Sequence, residues 1–227
     1  MSTLVTAAAD LFLGAACPGC GVVAVRLCAD CAAELRAGDV APHHKAALAG
    51  LPHWAAGPFA GLGSRLISAA KDRHRWDLLD ILSERLALAT AGLLDSVGGP
   101  ERLWLVPLPS SAGSARRRGL DFGGRLAVGA QRRLTGAGLD VRTAHLIRPV
   151  RRVADQSGLG WADRRANLRG AYGLRPWLPP ADRWPPLVLI DDVVTTGASL
   201  AEARRVLEAA GARVLGAATV AATDDRD

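Results

Sequence analysis

Residues Leu187 to Leu200 read LVLIDDVVTTGASL, and the fold of the whole chain turns on them. Four apolar residues, Leu187 to Ile190, have the length and character of a strand buried on both faces. Two acids, Asp191 and Asp192, follow directly. Then come Val193, Val194 and a run of small or hydroxylated residues: Thr195, Thr196, Gly197, Ala198 and Ser199. The spacing next predicts a helix over about Ser199 to Ala210 and a strand over Val214 to Val220. Ser199 and Glu202 have the separation of a capping box. Strand, turn, helix and strand in succession, with wholly apolar strands, predict an α/β fold with a mainly parallel sheet covered on both faces. Ligands in such sheets bind at the carboxyl ends of the strands, where Asp191 and Asp192 are expected.

A turn that opens a helix presents unpaired N–H groups and the positive end of the helix dipole, which together bind anions. Gly197 and Ala198 let a phosphate approach the backbone, and the threonine hydroxyls add donors. The two carboxylates would repel that phosphate. They suit hydroxyl donors instead, or a magnesium ion through water. A ligand with a phosphate at one end and a diol nearby satisfies both halves, as a ribose 5-phosphate does. An acidic strand tip with no ligand is the competing reading.

Upstream, LWLV (Leu103 to Val106) predicts a second buried strand, closed by the turn-like PLPSSAGS. A helix is expected over about Phe122 to Leu134 and a strand near Val141 to Leu146. Arg148 to Ala171 is polar and Arg-rich, which predicts a long loop with a partial helix, and Pro176 to Pro186 a proline-rich connection. Leu62, Leu66, Ala69 and Ala70 share one helical face. Leu79, Leu82, Leu86, Ala89 and Leu93 share another, stopped by Gly98, Gly99 and Pro100. A strand is expected near Trp54 to Phe59. His43, His44 and His53 read as surface or loop histidines rather than metal ligands.

All four cysteines lie in CPGCGVVAVRLCADC, a C-x2-C-x7-C-x2-C arrangement of Cys17, Cys20, Cys28 and Cys31. Two such knuckles offer four thiolates to one tetrahedral ion, and zinc suits them best, as a closed structural site. Four free thiols or two disulfides are the alternatives. The predicted organisation is a four-cysteine zinc module with a leading helix over 1–37, a connector and helical hood over 38–100, and the α/β domain over 101–227. The formal charge is +6, and the only lysines are Lys45 and Lys71 among 28 basic residues. Arginine forks suit phosphate oxygens, and a basic balance is compatible with nucleic acid. No apolar run of membrane-spanning length is present. The start lacks a positive n-region and carries Asp10, so it reads as a short helix of a cytoplasmic protein rather than a secretion signal.

The stretch from Leu187 to Leu200 resembles the phosphoribosyl-diphosphate (PRPP) motif of type I phosphoribosyltransferases. The cysteine knuckle pair ahead of it, a small zinc-ribbon-like module, resembles the ComF family, and the PRPP-motif resemblance implies a sheet of the phosphoribosyltransferase kind. It also implies that Asp191 and Asp192 hold the ribose 2- and 3-hydroxyls as the catalytic acids. Val193, Thr195, Thr196, Gly197, Ala198 and Ser199 would complete the PRPP site around the 5-phosphate. Four further stretches resemble the ComF family, competence-associated relatives of those enzymes. They are AADLFLGAACPGC, ISAAKDRHRW with Lys71 on the family's lysine, VPLPSSAGSARRRGLDFGGRLA, and DQSGLGWADRRANLRGAY with Gln156, Arg164, Asn167 and Tyr172 on family positions. Ser110, Arg118 and Arg164 are the expected further PRPP contacts, the arginines facing the leaving pyrophosphate. Structural zinc and magnesium bound with PRPP are the implied cofactors. Three roles follow as expectations: transfer of a phosphoribosyl group to an acceptor, sensing of PRPP without turnover, or a DNA-uptake accessory role. The last would bind single-stranded DNA or competence proteins.

Overall fold

The computed structural model describes residues 16–43, 48–109, 120–151 and 168–223. Helix α1 (Ala29–Ala37) follows the cysteine knuckles and leads to strands β1 (Ala41–Pro42) and β2 (His53–Ala55). Helices α2 (Gly61–Asp72) and α3 (Leu79–Val97) come next, then strand β3 (Arg102–Pro107), helix α4 (Phe122–Gly136) and strand β4 (Asp140–Thr143). Strands β5 (Ile147–Pro149) and β6 (Tyr172–Leu174) precede β7 (Leu187–Val194), helix α5 (Ala198–Ala209) and β8 (Val214–Ala222).

Among the described residues, six strands form one sheet in the order β1-β2-β8-β7-β3-β4. Every pairing in it is parallel except that of β1 with β2. The predicted α/β fold with a mainly parallel sheet is therefore present. β5 and β6 form a separate antiparallel pair, with Ile147 opposite Leu174. β7 is central, and Leu187, Val188, Leu189 and Ile190 are all fully buried, as an apolar strand covered on both sides requires.

The two faces have separate cores. Val188 and Ile190 pack with Leu66 of α2, Leu82 and Leu86 of α3, and Phe122 and Leu126 of α4. Leu187 and Leu189 pack with Leu200, Ala203 and Leu207 of α5. α3 and α4 approach closely because Gly129 has no side chain: a Cβ there would collide with Ser83 Oγ. From β3 the chain crosses through α4 to β4 on one side. From β7 it crosses through α5 to β8 on the other. The strand order thus reverses between β3 and β7, and a crevice opens at the carboxyl ends of strands at such a switch point.

Arg85 of α3 ties the cysteine module to this frame. It is 2% exposed, yet its guanidinium reaches three carbonyls: Arg36 at 3.1 Å, Ala56 at 2.8 Å, and Gly38. The first and last belong to the end of α1, so Arg85 supplies donors to carbonyls that the helix leaves unpaired.

Several expectations are corrected. β7 does not stop at Ile190 but runs through both acids to Val194, because β8 continues beside it and pairs Asp191 with Thr219 and Val193 with Ala221. The strand expected over Val141 to Leu146 ends at Thr143, and Ile147 starts the second sheet. The strand expected near Trp54 to Phe59 occupies His53–Ala55. His53 is not a surface residue: it is 2% exposed, with Nε2 2.9 Å from Thr219 Oγ1. Among the described residues, no helix is long and apolar enough to cross a membrane.

Candidate functional site

The carboxyl end of β7 brings Asp191, Asp192 and the turn 195–197 together at the switch point. Adjacent residues on a strand face opposite sides of the sheet, and the two acids accordingly meet different neighbours. Asp192 turns toward α2, where Lys71 Nζ forms a salt bridge with its Oδ2. Its Oδ1 accepts from the Val193 amide at 2.7 Å. Asp191 lies near enough to Tyr172 for its charge to be felt there, and Lys71 acts on it as well. Its Oδ1 accepts from the Asp192 amide at 2.9 Å.

Its surroundings set the charge state of Asp191. Asp191 is part-buried as a residue, but dense surroundings strip water from its carboxyl. That desolvation, with the neighbouring Asp192 charge, pushes its pKa up to about 8, against the opposing pull of Lys71. Tyr172 is pushed up to about 12, first by burial and then by the Asp191 charge. A hydrogen bond with the Ser199 side chain works the other way.

The turn has the backbone an anion site needs. Gly197 lies at φ 77°, ψ 0°, the left-handed region, and is the N-cap of α5 with no side-chain capping bond. The expected capping box between Ser199 and Glu202 is therefore not made. Gly197 occupies the cap position, and Glu202 is committed elsewhere. The first-turn N–H groups of α5 have no intrahelical partner and point out of the helix start. The first helical bond runs from Ala201 N to Gly197 O at 2.9 Å. Thr196 Oγ1 accepts from the Ala198 amide at 3.4 Å, while Thr195 is exposed. Thr223, just past β8, donates its amide to Val194 O at 2.9 Å and its hydroxyl to Thr195 O at 3.4 Å, tying the end of β7 and the turn to β8.

Glu202 is 6% exposed. Its carboxylate is paired with Arg205 at 2.7 and 2.8 Å and accepts the Gly170 amide at 2.8 Å. Burial raises its pKa, but Arg205 and the amides of Gly170 and Tyr172 outweigh burial and leave the carboxyl below its ordinary value. It anchors the chain entering β6 to the helix that carries the turn. Sequence reasoning missed this anchor because it took Glu202 for a cap partner. It matched Tyr172 and Lys71 by position but gave neither a place at the acids. For Lys71 the signal was present in its rarity among the basic residues.

Ser110, Arg118 and Arg164 lie outside the described residues, as do Gln156 and Asn167. Val193, Thr195, Thr196, Gly197, Ala198 and Ser199 all lie at or beside the acid pair, on the end of β7 or the start of α5.

The four cysteines form a second centre. Their Sγ atoms all lie within 4.8 Å of one another, and all four are free thiols. Amides point at the sulfurs: Cys28 N to Cys17 Sγ at 3.4 Å and Cys31 N to Cys28 Sγ at 3.5 Å. Burial alone would raise Cys17, but amides of Cys28, Cys20 and Gly19 outweigh it and bring it down to about 6. Cys31 is driven up by burial and by the other three sulfurs. Such a cluster holds several thiolates together only around a cation, so the donor set fits a thiophilic metal ion. Gly19 makes room for it: a Cβ there would meet Cys31 Sγ at 2.7 Å. A cavity of about 780 Å³ lies beside this centre and not at the acids, lined in part by Arg65, Ser68, Arg73 and Arg75. Arg65 and Arg75 spend hydrogen bonds on the knuckle backbone at Gly19, Ala16 and Val25. The cavity is read as part of the module's seat on α2.

No protein-family model matches the chain, and no curated protein matches it. Among solved structures the chain is similar to an adenine phosphoribosyltransferase, at 16% identity over 86% of this chain and 90% of that one, with a TM-score of 0.42. It is also similar to the adenine phosphoribosyltransferase of Saccharomyces cerevisiae complexed with an imino-altritol bisphosphate and adenine, at 17% identity over 86% and 89%, TM-score 0.39. A third similar structure is the orotate phosphoribosyltransferase of Aeropyrum pernix, at 18% identity over 70% and 76%, TM-score 0.32. Likenesses this loose transfer no residue role and no activity.

Proposed function

We propose that the chain binds PRPP, or another ribose 5-phosphate ligand, at the end of β7, as a phosphoribosyltransferase-like protein of the ComF type. The observation that carries this reading is the junction itself. One strand delivers two acids and, within three residues of its end, a left-handed Gly197 that opens a helix, all at the point where the strand order reverses. The amides of the α5 start and the hydroxyls of Thr195, Thr196 and Ser199 bind the 5-phosphate. Asp191 and Asp192 hold the ribose hydroxyls, orienting the anomeric carbon toward the crevice between β3 and β7. Ser110, Arg118 and Arg164 are assigned to the pyrophosphate side. Magnesium bound together with PRPP would offset the negative charge of the diphosphate. Transfer of the phosphoribosyl group to an acceptor, with release of pyrophosphate, is the activity this reading proposes.

The cysteine group holds a structural zinc in this reading, through Cys17, Cys20, Cys28 and Cys31. A reducing compartment such as the cytoplasm keeps its thiols available.

Calorimetry with PRPP and magnesium tests the site. Wild type is expected to bind, and Asp191→Asn/Asp192→Asn to bind roughly 10- to 100-fold more weakly, since a hydrogen bond to a charged group is worth about 1.5–3 kcal/mol. Equal affinity in the two proteins, or no binding by wild type, refutes the reading.

A further inference from the structure

Two carboxylates beside an anion-binding turn pose an electrostatic problem. Both ionised and unpaired, they would repel the ligand's phosphates across a few ångströms of poorly screening protein. The structure removes the problem at Asp192. Its Oδ2 is taken by Lys71 and its Oδ1 by the Val193 amide, so the carboxylate is both neutralised and fixed in direction. Lys71 reaches it from the last turn of α2. Its side chain is 27% exposed against 10% for that of Asp192, and its Nζ stands 6.0 Å from the ring centroid of Phe122, the first residue of α4. Three elements thus converge on one ammonium.

The composition supports the same point independently. Almost every cation in this chain is arginine, and Lys71 is one of two exceptions. A guanidinium is a wide planar fork that wants two acceptor oxygens side by side. Asp192 offers one, because the other is already held by a backbone amide. A compact ammonium with rotatable donors fits that geometry and a fork does not.

We propose that Lys71 is a positioning residue of the site: by pairing with Asp192 it cancels one carboxylate charge and fixes its direction, so that the acids hold sugar hydroxyls without repelling a polyanionic sugar phosphate. This rests on the ribose-phosphate reading above, and two measurements keep the two separable. The first needs no ligand. The Asp191 carboxyl is titrated by ¹³C NMR in wild type and in Lys71→Met. Loss of a nearby cation that favours the ionised form moves the midpoint upward in the variant. An unmoved midpoint overturns the proposal whatever the ligand proves to be. The second compares inorganic phosphate binding in wild type, Lys71→Met and Lys71→Met/Asp192→Asn. Phosphate carries no ribose hydroxyls, so only the charge of the acids reaches it. Its affinity is expected to fall about tenfold in the single variant and to return nearly to the wild-type value in the double variant, which is neutral again. The double variant also leaves no unpaired charge to unfold the protein. A single variant that binds phosphate like wild type, or a double variant no better than the single, overturns the inference. If wild type binds no phosphate, the turn's assignment fails and the NMR titration still decides the role of Lys71.

Discussion

Gly197 and Asp191 show how one residue's backbone or surroundings set its chemistry. At φ 77° any side chain strains the turn, so the glycine is what lets the start of α5 face the acids. Asp191 makes a sharper prediction through its raised pKa. In the unfolded chain it ionises near 3.8, whereas in the fold it ionises near 8. Between those values the native state holds the extra proton, so stability falls as pH rises through that window. Asp191→Asn removes the effect. Its melting temperature is expected to stay flatter than that of wild type between about pH 4 and 8, and to exceed it at the upper end. A wild-type curve parallel to the variant's throughout would show that Asp191 titrates normally. These residues were legible in the sequence because acids, threonines and glycine are consecutive, and their meaning is local. Lys71 and Tyr172 were not placed at the acids, since each arrives from another element. Only the folded chain brings the end of α2 and the start of β6 to β7.

Among the elements, α5 carries two jobs on one helix. Its first turn faces the crevice, and one turn later Glu202 holds the amides that lead into β6. Glu202→Gln keeps the size and removes the charge that Arg205 and two amides share. It is expected to cost about 1–3 kcal/mol. Hydrogen exchange at Gly170 and Tyr172 should accelerate while Leu189 and Ile190 of β7 remain protected. Uniform acceleration across both regions would mean that Glu202 serves the whole fold and not this junction. Helices α2 to α5 were legible in the sequence because their apolar faces repeat every three to four residues, as in Leu79 to Leu93 of α3, whereas α1 was not read. Strand ends were read less well. Asp191 and Asp192 look like loop residues by composition, yet β8 supplies the strand that carries them with ladder partners from a later part of the chain.

At the scale of the molecule, the sheet order could not be read from strand signals alone, because parallel neighbours are set by crossovers and not by adjacency in sequence. β2, far from β8 along the chain, lies beside it. The cysteine centre is likewise part of the body: Cys17 and Cys31 are buried in the same core as Leu66, Leu86 and Val188. One zinc per chain is therefore expected by elemental analysis. Removal by a strong chelator is expected to lower the melting temperature by at least about 5 °C, since even 1–2 kcal/mol of lost stabilisation shifts a chain of this size by several degrees. Metal well below one equivalent in freshly purified protein, or a melt indifferent to chelation, would count against the centre.

Arg85 draws this integration to a single atom group. A guanidinium sits in the interior with carbonyl oxygens as its partners, and two of the three come from the tail of the module's own helix. The knuckles are thus a keystone and not a tag. An engineered version trimmed to begin past Gly38 would leave that buried charge on α3 with the Ala56 carbonyl alone of the three, on the helix whose Leu82 and Leu86 pack beneath the central strand.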